Sequence, residues 1–307
     1  MRDRSRSHPI RIHIHRIRRM KPGPFIYHDP RTLPEALALL GGLDNAKVLA
    51  GGQSLMPMMN MRYAMPDHLV DLNLVEGLAG VTQEDGRLRI GSMTRQRDLE
   101  VSADVAAFPL FREALRHVGH RQTRNRGTIG GSLCHLDPAA ELPAVCLAAG
   151  ADLHVAGTGG ERTVAMMDFP LGFMTPAIRP DEIVTSINLV SWPQGHGFAF
   201  EEFARRQGDF AIVGVAVLLA ADAAGAIVRA AIALCGVADR PRRCPTAEAL
   251  LIGEEASPRA LAAAAAEAGK IDAASDIHAS GAYRAHLTTV LTERALARAV
   301  GRLGRTQ

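Results

Sequence analysis

Lys47-Val48-Leu49-Ala50-Gly51-Gly52-Gln53-Ser54-Leu55 runs from a short apolar strand straight into a glycine pair, and Thr128-Ile129-Gly130-Gly131-Ser132 brings a second pair further along. Glycine lacks Cβ, so its backbone can turn through positive φ and let amides crowd around an anion. Hydroxyl residues flank both pairs, Ser54 at the first and Thr128 and Ser132 at the second, and each adds a donor suited to phosphate oxygens. Two such loops can clamp one diphosphate from both sides. Neither is a G-x-G-x-x-G or a G-x-x-x-x-G-K-[ST] sequence, so neither a dinucleotide Rossmann site nor a P-loop is indicated.

Outward from these loops the chain alternates short strands and helices. Thr32-Leu33-Pro34-Glu35 reads as a capping box opening a helix through Leu40, stopped by Gly41-Gly42. Leu69–Leu72 and Leu88–Ile90 read as strands, the second after the Glu84-Asp85-Gly86 turn, and Phe111–Val118 has helical spacing. Arg124-Asn125-Arg126-Gly127 reads as a polar loop leading into the second glycine pair. Gln194-Gly195-His196-Gly197 reads as a flexible break between two domains. Beyond it Phe198–Phe203, Ala211–Ala220 and Ile227–Val237 are expected strands, the last two paired antiparallel through the Asp222–Gly225 turn. An Ala-rich helix from Thr246, another capped by Ser257 with Pro258 at its first position, and a last one from Ala282 to Leu303 complete the chain. The expected fold class is α+β.

Of the 307 residues, 47% are hydrophobic and 22% charged, which is globular composition. No apolar run approaches the ~20 residues of a membrane span. The net charge of +3 is concentrated in the head: the first nineteen residues carry seven Arg against Asp3, and removing that +6 leaves the rest near −3. A mildly acidic body gives no support to nucleic-acid binding. Residues 1–19 are expected to be a disordered basic extension, with Met20 as the working start; Lys21-Pro22-Gly23-Pro24 follows Arg18-Arg19 where an export signal needs an apolar core. Cys134, Cys146, Cys235 and Cys244 are too scattered for a zinc or iron–sulfur site and read as free thiols in a reducing cytoplasm. His117, His120 and His135 read as loop histidines rather than metal ligands, and the methionines Met56, Met58, Met59, Met61 and Met65 as packing beneath the first loop. No catalytic residue and no metal site is expected.

Together and in this order, the two glycine stretches resemble the FAD-binding medium subunit of the carbon monoxide dehydrogenase and xanthine dehydrogenase family, the molybdenum hydroxylases. The likeness begins at Lys21-Pro22, runs through Ala50–Arg62 and Thr128–Pro143, takes in Arg205-Arg206-Gln207-Gly208-Asp209-Phe210-Ala211 and ends near Tyr283-Arg284. It implies a two-subdomain FAD-binding domain of the vanillyl-alcohol-oxidase (PCMH) type over residues 20–193, then a small α+β domain over 194–307. By motif position it also implies that backbone amides of Ala50, Gly51, Gly52, Gln53, Ser54 and Leu55, and of Thr128, Ile129, Gly130, Gly131 and Ser132, hold the FAD pyrophosphate. Asp137 and Glu141 are the carboxylates expected to contact the cofactor, and Val184, in Glu182-Ile183-Val184, is expected to pack near the flavin.

The resemblance implies an electron-transfer subunit. FAD is bound non-covalently, receives electrons from [2Fe–2S] clusters of a small partner subunit and passes them to NAD, oxygen or a quinone. A large molybdopterin subunit handles the substrate, and a dimer of heterotrimers is the expected assembly. Two departures stand out: Ser132 where relatives often have Asn, and Glu201-Glu202 where they often have Lys or Gln. The second leaves the external acceptor open. A self-sufficient FAD-dependent oxidase or reductase of the same cofactor fold is the alternative, and a scaffold that has lost FAD is another.

Overall fold

The computed structural model describes residues 21–84, 86–106 and 108–304; the basic head expected to be disordered lies outside them. The first subdomain is a small parallel sheet. Strands β1 (Ile26–His28), β2 (Ala46–Leu49) and β3 (His68–Asp71) lie in the order β1-β3-β2, with helices α1 (Leu33–Gly42) and α2 (Leu55–Asn60) between them. The capping box is present: the Glu35 amide donates to Thr32 Oγ1 at 3.4 Å and the Thr32 amide to the Glu35 carboxylate at 3.2 Å. The helix runs on through Gly41-Gly42 rather than stopping before them. Ala36, Leu40, Val70 and Leu72 form the core of this layer.

The second subdomain has an antiparallel sheet made of β4 (Val81–Glu84), β5 (Arg87–Gly91), β6 (Asp152–Gly157), β7 (Gly160–Ala165) and β10 (Glu182–Val190), in the order β4-β5-β10-β6-β7. The short pair β8 (Pro170–Gly172) and β9 (Thr175–Pro176) lies between β7 and β10 in the chain. Between β5 and β6 come helices α3 (Gln96–Val101), α4 (Pro109–Leu115), α5 (Arg121–Arg126), α6 (Ile129–His135) and α7 (Glu141–Ala149). Residues 124–126 thus close a helix instead of forming a loop. No residue of α5 is buried, so it has no apolar stripe to betray it in the sequence.

The C-terminal domain is a second antiparallel sheet, β11 (Gly197–Phe203), β12 (Val213–Ala221), β13 (Ile227–Cys235) and β14 (Arg242–Arg243) in sequential order, with helices α8 (Pro245–Ala249), α9 (Pro258–Ala268) and α10 (Gly281–Val300). The three expected strands are present with the expected antiparallel pairing of the last two, Leu218 facing Ala231. Both faces of this sheet are covered. Val213, Val215, Val217 and Leu219 pack with Leu261, Leu291 and Leu296 of the helices, whereas Phe200, Ala216, Leu218 and Ala233 join the core of the second subdomain. A sheet buried on both faces needs near-continuous apolar strands, which is why β12 reads VGVAVLLAA without alternation.

Helix α7 is the layer between the two sheets, and every one of its nine residues is buried. The expected flexible break after Trp192 is a packed crossing: the Gly304 amide donates to Gly195 O at 2.9 Å, His196 is buried, and the Arg229 guanidinium lies 3.9 Å over the Trp192 ring. Among the described residues no helix is long and apolar enough to cross a membrane.

Candidate functional site

The end of β2 delivers the first glycine loop to the top of the parallel sheet. Gly52 has φ +71°, a turn that an L side chain adopts only at a cost of about 1–2 kcal/mol. The amides of Gly51, Gly52, Gln53 and Ser54 donate to no backbone carbonyl among the described residues. Ser54 begins α2 without a side-chain cap, so its hydroxyl is not consumed by the helix. A run of unpaired amides with a free hydroxyl beside it is a donor set for an anion.

The second stretch is the first turn of α6 and not a loop. Thr128 is its cap, accepting from the Gly131 amide at 3.0 Å. The Ile129 amide donates to Thr94 O at 3.2 Å, Gly130 to Ser92 O at 2.8 Å and Ser132 to Thr128 O at 3.1 Å. These amides are committed within the protein, so residues 129–132 act here chiefly as a wall and the uncommitted donors lie in the first loop. The wall is close. A Cβ on Gly51 would stand 2.3 Å from Arg126 O, and one on Gly131 would stand 3.5 Å from the Ala50 Cβ. The structure therefore brings together the two stretches that the sequence singled out.

A brace that the sequence did not disclose holds them there. Asn73 Nδ2 donates to Ala50 O at 3.0 Å, and the Arg95 guanidinium donates both to Asn73 Oδ1 and to Arg126 O. Asp71, at the end of β3, accepts from the Asn73 amide at 2.9 Å and from the Tyr27 hydroxyl at 2.6 Å. That bond and the Asp71 charge push the Tyr27 phenol up to about 12. A cavity of about 390 Å³ opens beside the brace, lined by Asn73, Val75, Thr94, Arg95, Asp98 and Ser102 among others.

The expected carboxylates follow the C-terminal end of α6. Leu136 ends that helix in the left-handed region at φ +52° while fully buried, and Asp137 then closes a tight turn by accepting from the Ala139 amide at 2.9 Å. Glu141, first residue of α7, is 7% exposed; burial, with the Asp137 charge beside it, pushes its carboxyl up to about 7. Val184 is a core residue of β10, opposite Val155, and the next residue, Thr185, accepts from the Ser92 amide whose own carbonyl holds Gly130. Val184 thus backs the wall at one remove.

The remaining residues singled out in the sequence are dispersed. Met59 is core, whereas Met61 and Met65 are exposed rather than packed under the loop. His120 caps α5 and His135 ends α6, while His117 faces the C-terminal domain beside Glu202. The four cysteines lie apart in α6, α7, β13 and just before α8 as free thiols, and burial pushes Cys134 and Cys244 up to about 12.

The family model described as FAD binding domain in molybdopterin dehydrogenase matches residues 11–192, and that described as CO dehydrogenase flavoprotein C-terminal domain matches residues 198–299. The chain is 41% identical to the 6-hydroxypseudooxynicotine dehydrogenase complex subunit alpha of Paenarthrobacter nicotinovorans, over 92% of this chain and 97% of that one. It is 39% identical to the carbon monoxide dehydrogenase medium chain of Afipia carboxidovorans, over 92% and 99%. A solved carbon monoxide dehydrogenase from Hydrogenophaga pseudoflava superposes with a TM-score of 0.90 at 38% identity, covering 92% of this chain and 99% of that one. These matches span both domains and the crossing between them: the chain belongs to the FAD-binding medium subunits of the molybdenum hydroxylase family.

Proposed function

We propose that this chain is the electron-transfer subunit of a molybdenum hydroxylase, taking electrons from [2Fe–2S] clusters of a small partner subunit and delivering them through its FAD to NAD, oxygen or a quinone. A large molybdopterin subunit oxidises the substrate, and two such heterotrimers form the assembly. The observation that carries the reading is the run of unpaired amides from Gly51 to Ser54, held against the α5–α6 wall by Asn73 and Arg95. Bound FAD supplies the redox chemistry; the protein fixes its place and tunes it.

The chain's own residues divide that work. The first loop takes the anionic pyrophosphate, with the Ser54 hydroxyl as a further donor. Residues 128–132 close over it, and Asp137 and Glu141 offer carboxyl oxygens to the ribityl hydroxyls, where charged acceptors make the stronger bonds. The four thiols lie apart in α6, α7, β13 and before α8, not gathered as the four ligands of one iron–sulfur cluster would be. The clusters therefore belong to a partner.

The purified full chain is expected to show flavin absorbance, to bleach with a chemical reductant, and to turn over no purine, aldehyde, aromatic heterocycle or carbon monoxide. Turnover of any of these by the chain alone would favour a self-sufficient oxidase.

A further inference from the structure

The loop between β11 and β12 leans across the seam onto the start of α5. A Cβ on Gly208 would stand 2.8 Å from the His120 ring and 3.0 Å from Gly119 O. The loop is a built turn: the Asp209 amide donates to Arg206 O at 3.1 Å, and the Ile212 amide to Phe203 O at 2.8 Å. Five arginines line this contact and the helix that runs from it. Arg205 and Arg206 come from the loop, Arg116 from the end of α4, and Arg121 and Arg126 from the two ends of α5. All five are exposed, and none makes an ion pair or donates a side-chain hydrogen bond among the described residues.

The carboxylates around them are taken. Glu100 pairs with Arg97 at 2.8 Å and with Arg124 at 3.0 Å, Glu113 with Arg298 and Arg302, and Glu201 with Arg298. Glu202 is buried beside His117 at 3.7 Å. Asp209, on the loop itself, offsets one of the five charges. The chain from Met20 on carries a net charge near −3, so this ridge is a local exception on an acidic body. Phe210 stands in it with 72% of its surface exposed. Arginines around an exposed aromatic are the make-up of a protein interface. A nucleic acid would meet the acidic body beyond the ridge.

We propose that this ridge is the docking surface for the cluster-bearing small subunit, which meets it with an acidic, carboxylate-rich face. The assignment rests on the electron-transfer reading above. In that reading electrons enter from clusters outside the chain, so their carrier must seat close to the flavin. The ridge adjoins the flavin site: Arg126 O stands 2.3 Å from where a Cβ on Gly51 would lie in the donor loop. It also takes residues from both domains, so one partner face spans the seam between them. Opposite charge steers the partner into register, and the Phe210 ring gives the contact an apolar anchor.

The test co-expresses the full chain with its cluster and molybdopterin subunits and purifies the complex through a tag on this chain. The triple reversal Arg121→Glu, Arg205→Glu and Arg206→Glu alters exposed, unbonded side chains, so FAD content and melting temperature of the chain alone are expected to match wild type. Retention of the small subunit, read as iron per flavin, is expected to fall below about a tenth of wild type. Lysine at the same three positions keeps the charge and is expected to keep the partner. Full iron per flavin in the triple reversal would overturn the proposal. So would a retained cluster subunit with a raised KM for NAD alone, which would give the ridge to an anionic acceptor. Lost flavin in the isolated triple variant would overturn it too, by showing that the ridge holds the cofactor. A wild-type chain that binds FAD but recruits no cluster subunit would overturn the docking and the electron-transfer reading together.

Discussion

Gly51→Val is expected to leave a chain without bound FAD and with a melting temperature lower by roughly 5–10 °C. The cause is the backbone of a neighbouring element. A Cβ at residue 51 would sit 2.3 Å from Arg126 O and 2.8 Å from Gly127 Cα, and neither atom can swing aside as a side-chain tip would. The loop or the end of α5 must move, which breaks the Arg95 bond to Arg126 O and the wall that residues 127–131 make. Gly130→Val meets Ser92 Cβ at 2.6 Å and Ser92 O at 2.7 Å and should behave alike. Gly52→Ala is the control, because its Cβ meets only movable side-chain tips, Met56 Cγ at 3.2 Å and Leu49 Cδ1 at 3.4 Å, and its φ of +71° costs about 1–2 kcal/mol. Flavin-to-protein absorbance and calorimetry read both effects. Gly51→Val with full flavin and an unchanged melting temperature would mean that the two stretches are not packed together.

Arg284→Ala is expected to cost about 3–5 kcal/mol of stability, read as a lower urea midpoint. Arg284 is 5% exposed, and its Nη1 donates to Ile212 O at 2.8 Å and also to Gly236 O, while Nη2 holds Asp276 at 2.6 Å. Alanine would leave two buried carbonyls and a carboxylate without their donor. Because Gly236 also ties the C-terminal sheet to Pro138, the damage should reach the seam, and flavin retention should fall with stability. Burial alone would raise Asp276, but the His278 and Ala279 amides and Arg284 outweigh it and hold the carboxyl at about 2. Its contribution is therefore present above the ordinary carboxylate range and is lost as pH falls through about 2. In Arg284→Ala that contribution should be smaller and its loss complete at higher pH. An unchanged urea midpoint would show that solvent replaces the guanidinium at no cost.

Much of the fold is written locally. The Thr32–Glu35 box, the Ser257-Pro258 start and the strands on either side of Asp222–Gly225 each depend on neighbours in the chain, so their residues announce them. Helix α5 does not, because it is polar on every side and is held by side-chain bonds such as Arg124 to Val118 O at 2.9 Å. The second glycine stretch looks like a loop in sequence because Gly-Gly is a poor helix former, yet Thr128 caps it and the wall behind it forces the turn. At the site, the first loop was legible as a strand running into Gly-Gly. The Asn73–Arg95 brace was not, since its partners meet only in three dimensions. Glu202 was visible as a departure from the residues common in relatives, but its burial and its unpaired oxygen belong to the fold alone.

In the proposed role this chain carries electrons onward and does not generate them. The direct measurement uses the assembled complex, co-expressed with its cluster and molybdopterin subunits and then stripped of FAD. Substrate should still reduce the iron–sulfur centres, seen by electron paramagnetic resonance, while reduction of the external acceptor stops and returns on adding FAD. Undiminished delivery to the same acceptor by the FAD-free complex would contradict that role.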